Sequence, residues 1–360
     1  MTTGIYTCRS EVTTLVNVDW SDIVLYDWPT KKDFLNSTHD YKVAIIEFDY
    51  SNPNSFVELA TEFVTCDLVL VLSMESTSAI IKLIKQFDLP NFTFIINSIF
   101  NFSLSQAKVI YEFPWLTSTA NPYLEKHKSL LKDKLAAFAP KPYAFEVMYG
   151  RFRKHRCFVY ERLSDHDKQF YQAPFFDDFN GKDVNTSYNF DKADLWEDEI
   201  ILSKDTDYQC LYYDDVMHIS QVLPFKIYNK TAYSLICETS TDNEWSFFTE
   251  KIVKPIIAHR LFIVISGQYY LKNLRSLGFK TFDSIIDESY DVIQDPKERW
   301  HAAIQSAVTL AKQDQRTVLD KVIPIAIHNF HMLKYLKTNS LAYELELFLL
   351  EKGHYTIGDG

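Results

Sequence analysis

Glycine is nearly absent from this chain, with 8 in 360 residues. A glycine-rich loop cradles phosphate by bringing bare backbone close to the anion, and that takes clustered glycines. The only Gly-x-Gly is Gly358 with Gly360. A Walker-type NTPase, a kinase and a standard dinucleotide-binding enzyme are therefore not expected. Cysteine is also sparse. Cys8, Cys66, Cys157, Cys210 and Cys237 are odd in number, far apart and form no CxxC. That argues against a disulfide scaffold or structural zinc and for a reducing, cytoplasmic setting. No apolar run approaches the ~18 residues needed to cross a bilayer. The opening Met1-Thr2-Thr3-Gly4 lacks the basic stretch and apolar core of a signal peptide. Positive charge is short too. A formal net charge of −11 argues against a nucleic-acid coat or an anionic membrane surface, although a local basic cluster can override the average.

What remains is a globular composition, 47% apolar and 15% aromatic, on a chain long enough for two domains. Short apolar runs at Asp22–Tyr26, Val43–Glu47, Leu68–Leu72 and Phe92–Ile96 are continuous rather than alternating, as suits strands covered on both faces. Between them Phe56, Leu59, Ala60, Phe63 and then Ile80, Leu83, Ile84, Phe87 recur at helical spacing. Strand–helix–strand repetition predicts a parallel α/β domain. Ala139-Pro140-Lys141-Pro142 reads as a linker. A strand and a helix near Phe158–Leu163 follow, then long irregular loops to about Lys230. A second α/β unit comes next: strand Tyr233–Cys237, helix Thr249–Ala258, strand Leu261–Ile265, and helix Tyr269–Leu277 stopped by Gly278. A short strand is expected at Phe279–Phe282. From Pro296 the chain reads as helical, with breaks near Pro324 and Asn339. The expected division is a domain over 1–140, a second over 141–325 and a helical tail over 326–360.

Four features carry candidate chemistry. Glu238 to Lys251 is a polar loop between a strand end and a helix start, where α/β sheets bind ligands. Lys251 in the first helical turn opposes the helix dipole, a misfit that a bound anion would resolve. The plainer alternative is a solvated Glu250–Lys251 pair. Second, Gly150-Arg-Phe-Arg-Lys-His-Arg156 is a basic run suited to a diphosphate, or to nucleic acid, or simply to a solvated turn. Third, Asp165-His-Asp167 and Asp205-Thr-Asp207 could hold a divalent metal, though such triplets arise readily among 48 acidic residues. His328 and His331 lack a third ligand and read as helix surface. Last, Glu47, Asp49 and Glu75 lie at or just past strand ends, where a general base would face a cleft.

Ile236-Cys-Glu-Thr-Ser240, Phe247-Phe-Thr-Glu-Lys251 and Phe262-Ile-Val-Ile-Ser-Gly267 together resemble the donor-binding signature of the α-1,3-fucosyltransferase family. His155-Arg156-Cys-Phe-Val-Tyr-Glu-Arg-Leu163 is similar to that family's Arg-x-x-x-Tyr-x-x-Leu segment. Thr249-Glu-Lys251, Lys254-Pro255 and Leu277-Gly-Phe-Lys-Thr-Phe282 also resemble fucosyltransferase-like phage proteins. The likeness spans residues 150–282. Phe247 stands for the family's usual Tyr and Thr239 for its Asn, departures that bear on whether the donor is GDP-fucose.

The resemblance implies a GT-B glycosyltransferase, two Rossmann-like domains facing across a cleft with the nucleotide-sugar donor in the C-terminal one. Arg156 and Lys251 would contact the donor diphosphate and Glu250 the ribose, with Glu238 and Ser240 lining the pocket. The family inverts at the anomeric carbon without a metal or other cofactor. A carboxylate of the N-terminal, acceptor-side domain, Glu75 or Asp49, would then deprotonate the hydroxyl acceptor. The alternatives are a non-catalytic sugar-nucleotide-binding or structural module, a metal-dependent transferase using Asp205 and Asp207, and a DNA-base glycosyltransferase using the basic run.

Overall fold

The computed structural model describes residues 1–7, 20–47, 61–73, 77–103, 107–113, 116, 120, 135, 137–150, 152–166, 168–175, 201–202, 209–212, 215–218, 223–336 and 340–354. Asp49, Glu75, Asp167, Asp205, Asp207, Asn339 and the residues around Phe56–Ala60 lie outside them. The chain divides into one unit of Met1–Phe113 with Lys337–Gly360 and another of Pro114–Leu336. The divisions expected from the sequence lie at 140 and 325.

In the first unit six strands form one parallel sheet. Their spatial order is Ile23–Tyr26, Thr3–Thr7, Tyr41–Glu47, Leu68–Ser73, Phe92–Ile96 and Lys108–Tyr111. The interior strands are covered on both sides, which explains their unbroken apolar runs. On one face Tyr6 meets Phe63 at 5.4 Å and Phe34 at 5.7 Å. On the other Ile5, Val43, Ile45, Leu70 and Leu72 pack against Leu341, Ala342, Leu345 and Leu349 of the helix Ser340–Glu351. That helix is pinned at its start by Ser340 N donating to Glu112 Oε2 at 2.8 Å, and along its side by Lys108 with Glu344. Thr3 Oγ1 and His354 Nε2 lie 2.8 Å apart just beyond its end.

In the second unit four parallel strands stand in the order Phe262–Ile265, Thr231–Cys237, Tyr143–Gly150 and Phe170–Phe175. The first strand in the chain, Tyr143–Gly150, sits beside the third. From that central pair the chain runs outward in opposite directions, through helix Lys154–Leu163 on one side and helix Glu250–Ile257 on the other. Such a reversal is a topological switch point, and a crevice opens at the carboxyl ends of the two central strands, Gly150 and Cys237. Helix Pro296–Ala311 packs on Phe262–Ile265 and on Lys154–Leu163, and helix Gln315–Met332 on Glu250–Ile257. Asp295 and Asp314 cap these two helices by accepting from Glu298 N and Thr317 N. Both units are thus α/β and Rossmann-like in topology.

Three expectations are corrected. The stretch read as irregular loops contains a small antiparallel sheet of Ile201–Leu202, Gln209–Tyr212 and Asp215–His218. Phe279–Phe282 is not a strand, because side chains satisfy its backbone instead of a neighbouring strand. Asn329 bonds both Lys280 N and Lys280 O, and Glu288 accepts from Phe282 N. Pro324 does not break its helix, which continues to Met332; the break comes at residues 312–314, where Asp314 starts a new cap. Gly278 does stop the preceding helix in the left-handed region, at φ 91°.

Candidate functional site

At the switch point lies an open cleft of about 520 Å³. One wall is Arg153, Lys154 and His155, and the other is the loop 239–242. The first wall follows from local sequence. Gly150 turns the chain off its strand at φ 63°, and Arg153 enters the helix in extended conformation with no side-chain cap on the first turn. Within that helix the inward stripe is His155, Arg156, Val159 and Leu163, which leaves Arg153 and Lys154 exposed. Two cations therefore stand at a helix N-terminus whose own dipole also favours an anion.

The second wall rests on Glu238, which is 0% exposed. Its Oε1 accepts from Tyr270 Oη at 2.8 Å and Thr249 N at 3.3 Å. Its Oε2 accepts from Thr249 Oγ1 at 2.7 Å and Thr239 N at 2.9 Å. Burial and this carboxylate push the Tyr270 phenol well above its usual range. Beyond Glu238, Ser240 O accepts from Ser266 Oγ at 3.0 Å, and Ser266 O accepts from Arg299 Nε at 3.0 Å. Asn243 Oδ1 accepts from Gln268 N at 3.2 Å. The loop is built, not merely a connection.

Lys251 stands beside it, 25% exposed. Its Nζ lies 2.6 Å from Glu250 Oε1, 3.2 Å from Thr239 Oγ1 and 3.4 Å from Thr249 Oγ1. Burial pushes the Glu250 carboxyl up, but Lys251 and Lys254 outweigh it and hold the group below its ordinary range. The misfit of a lysine in the first turn is thus offset by its own neighbour, while Thr249 caps the helix.

Arg156 is 3% exposed and points inward. Its Nη2 donates to Cys237 O at 3.3 Å and Glu238 O at 3.4 Å. His155 Nε2 lies 2.8 Å from the same Glu238 carbonyl. A carbonyl only accepts, so Nε2 carries the ring proton. Burial, with Arg156, Arg153 and Lys251 around the ring, drives His155 down to about 3 against the support of that carbonyl. The sign follows. Below pH ~6.5 the unfolded histidine takes up a proton that the folded one refuses, so stability is lost as pH falls from there toward 3. The His155 contribution approaches about 1.4 kcal/mol per pH unit. Urea midpoints of the native chain and of His155→Gln, measured from pH 7 to 4, are expected to converge as pH falls. Parallel curves would contradict this.

The sequence candidates therefore separate. Ser240 lines the cleft, Lys251 reaches the Thr239 hydroxyl of its loop while paired with Glu250, Glu238 and Arg156 lie beneath, and Asp49 and Glu75 are outside the described residues. Arg153 and Lys154, read only as part of a basic run, form the exposed wall. Helical phase would have found them, since Val159 and Leu163 set the buried stripe that passes through 155 and 156. Asp165 is exposed, His328 Nε2 lies 2.8 Å from Gly278 O, and no group of three potential metal ligands occurs among the described residues. Cys66, Cys157 and Cys237 are free, buried thiols. No helix among the described residues is long and apolar enough to cross a membrane. No protein-family model and no curated protein matches the chain.

Proposed function

We propose that the chain is a glycosyltransferase that binds a nucleotide-diphosphate-linked sugar in its second unit, in the manner of the two-Rossmann-domain transferases. The observation that carries this reading is the cleft at the switch point, walled by Arg153, Lys154 and His155 on one side and by the loop Thr239-Ser240-Thr241-Asp242 on the other, where two cations and three hydroxyls stand against one carboxylate. Phosphate sites on parallel sheets sit there, and here side-chain cations and a helix N-terminus take the place of a glycine loop. As the glycosidic bond breaks, negative charge grows on the diphosphate leaving group. Arg153 and Lys154 would neutralise it, joined by Lys251 once it exchanges Glu250 for phosphate oxygen. Since these cations supply the positive charge, activity is expected to survive EDTA. Ser240 and Thr239 offer hydroxyls to the phosphates or the sugar. Arg156 and Glu238 act from below, by holding the loop in place. Glu75 and Asp49, the expected bases, lie outside the described residues.

The test is a panel of UDP-, GDP- and CMP-linked sugars and the free nucleotides, read by thermal shift and calorimetry. One nucleoside diphosphate at a hundred times its Kd is expected to raise Tm by roughly 5–10 °C. Replacing Arg153 and Lys154 together by alanine should weaken that binding about 10- to 100-fold. If no nucleotide binds at millimolar concentration, the reading fails. Tight binding without release of sugar from any donor would instead make the chain a binding module.

A further inference from the structure

We infer that His155 is a positioning residue of this cleft: as an uncharged donor to the Glu238 carbonyl, it fixes the loop 239–242 against the helix that carries Arg153 and Lys154. The inference rests on reading the cleft as a diphosphate site. The peptide between Glu238 and Thr239 joins the strand to the cleft loop. It is fixed on both sides. Its N–H donates to Glu238 Oε2 at 2.9 Å, and its carbonyl receives His155 Nε2 at 2.8 Å and Arg156 Nη2 at 3.4 Å. The shorter of the two bonds to that carbonyl comes from the residue that directly follows Lys154. The two walls are thus joined through this carbonyl, and the His155 bond is the shorter of the two that join them.

The ring has little freedom to do anything else. It is 4% exposed, and Trp300 from helix Pro296–Ala311 packs on it with ring centroids 5.8 Å apart. The charged groups that bear on it are Arg153 and Arg156 from its own helix and Lys251 from the helix after the loop. All are cations. A lysine or a protonated histidine here would place a further buried charge beside Arg156 and near Arg153 and Lys251, whereas a neutral imidazole gives the same N–H bond with no such cost. Glutamine can also reach with a neutral N–H; leucine fills similar space without one.

The test compares wild type, His155→Gln and His155→Leu. Affinity for inorganic pyrophosphate and for UDP and GDP is measured by calorimetry, and the wild-type ring by long-range 1H–15N NMR without ligand. The leucine variant is expected to lose at least about 10-fold in diphosphate affinity, the size of one lost hydrogen bond to a buried carbonyl that is left with only the longer Arg156 contact. The glutamine variant should recover to within about 3-fold of wild type. The NMR spectrum should show a neutral Nε2–H ring that does not titrate between pH 7 and 5. A folded leucine variant that binds like wild type overturns the inference, as does a glutamine variant no better than a folded leucine one. A ring carrying its proton on Nδ1, or titrating near pH 6, also overturns it. Should the leucine variant not fold, the glutamine variant and the NMR reading decide. Failure of the wild type to bind any diphosphate would remove the proposed function and, with it, this role; the ligand-free NMR result would show separately whether the bond itself is as described.

Discussion

Replacing Arg260 by leucine is expected to destabilise the second unit by about 3–5 kcal/mol, the cost of breaking a buried pair from one side. Arg260 and Glu146 are 4% and 3% exposed and 2.9 Å apart. The guanidinium also donates to the carbonyls of Tyr228, Thr231 and Tyr233 and to the hydroxyls of Ser234 and Thr231. It lies 4.3 Å over the Tyr228 ring. Leucine would remove the guanidinium donor from those carbonyls and leave the buried Glu146 carboxylate with the Ser234 hydroxyl but no cation. Lysine should not rescue, because a single ammonium cannot serve so many fixed acceptors. Burial already pushes Glu146 up to about 7 despite Arg260. A raised carboxyl holds a proton that the unfolded chain releases above pH ~4.5, so its contribution is present at low pH and is lost as pH rises toward 7. In Arg260→Leu the loss should steepen and extend to higher pH. Urea unfolding at pH 5.5 and 8 measures this. A variant less than about 1 kcal/mol below wild type at both values would show that the pair is not the anchor described.

Gly267→Ala is expected to cost about 3 kcal/mol, at the upper end of what overpacking does, and to abolish ligand binding in the cleft. A Cβ on Gly267 would stand 1.7 Å from Asp242 O and 2.8 Å from Asp242 C. Backbone, not a flexible side-chain tip, is in the way. The loop could withdraw only by giving up Ser266 Oγ to Ser240 O and Gln268 N to Asn243 Oδ1. Those are the bonds that hold the 239–242 wall. Thermal melts should therefore fall by roughly 6–12 °C, with nucleotide affinity lost together with them. An alanine variant that melts like wild type and binds like wild type would mean the loop has slack that the contacts do not suggest.

Much of the second unit was legible because its strands are continuous apolar runs. Tyr233–Cys237 and Leu261–Ile265 are strands within a residue or two of where periodicity put them. Phe170–Phe175 was not, since Gln172 and Pro174 interrupt it and only edge position makes such a strand tolerable. Thr3–Thr7 carries one aliphatic side chain, Ile5, so nothing in its pattern distinguishes it from a loop, yet pairing on both sides makes it an interior strand. At the site, the two stretches singled out in the sequence, 150–156 and 238–251, meet around one cleft. Which of their polar residues face out was harder to read. Glu238 and Arg156 look like ligand groups in one dimension, but their oxygens and nitrogens are turned to backbone and hydroxyl partners that come from residues 237–270. Those partners are long-range facts of the sheet order.

The helix Ser340–Glu351 has a consequence for synthesis. Its leucines close one face of a sheet whose strands begin at Thr3, so a ribosome must finish the whole of Pro114–Leu336 before that face is covered. The second unit is complete earlier and can fold on the nascent chain, while the earlier-made strands wait with Ile5, Val43 and Leu70 exposed. Of the two units, the one whose strands are translated first is the one that must be sheltered longer.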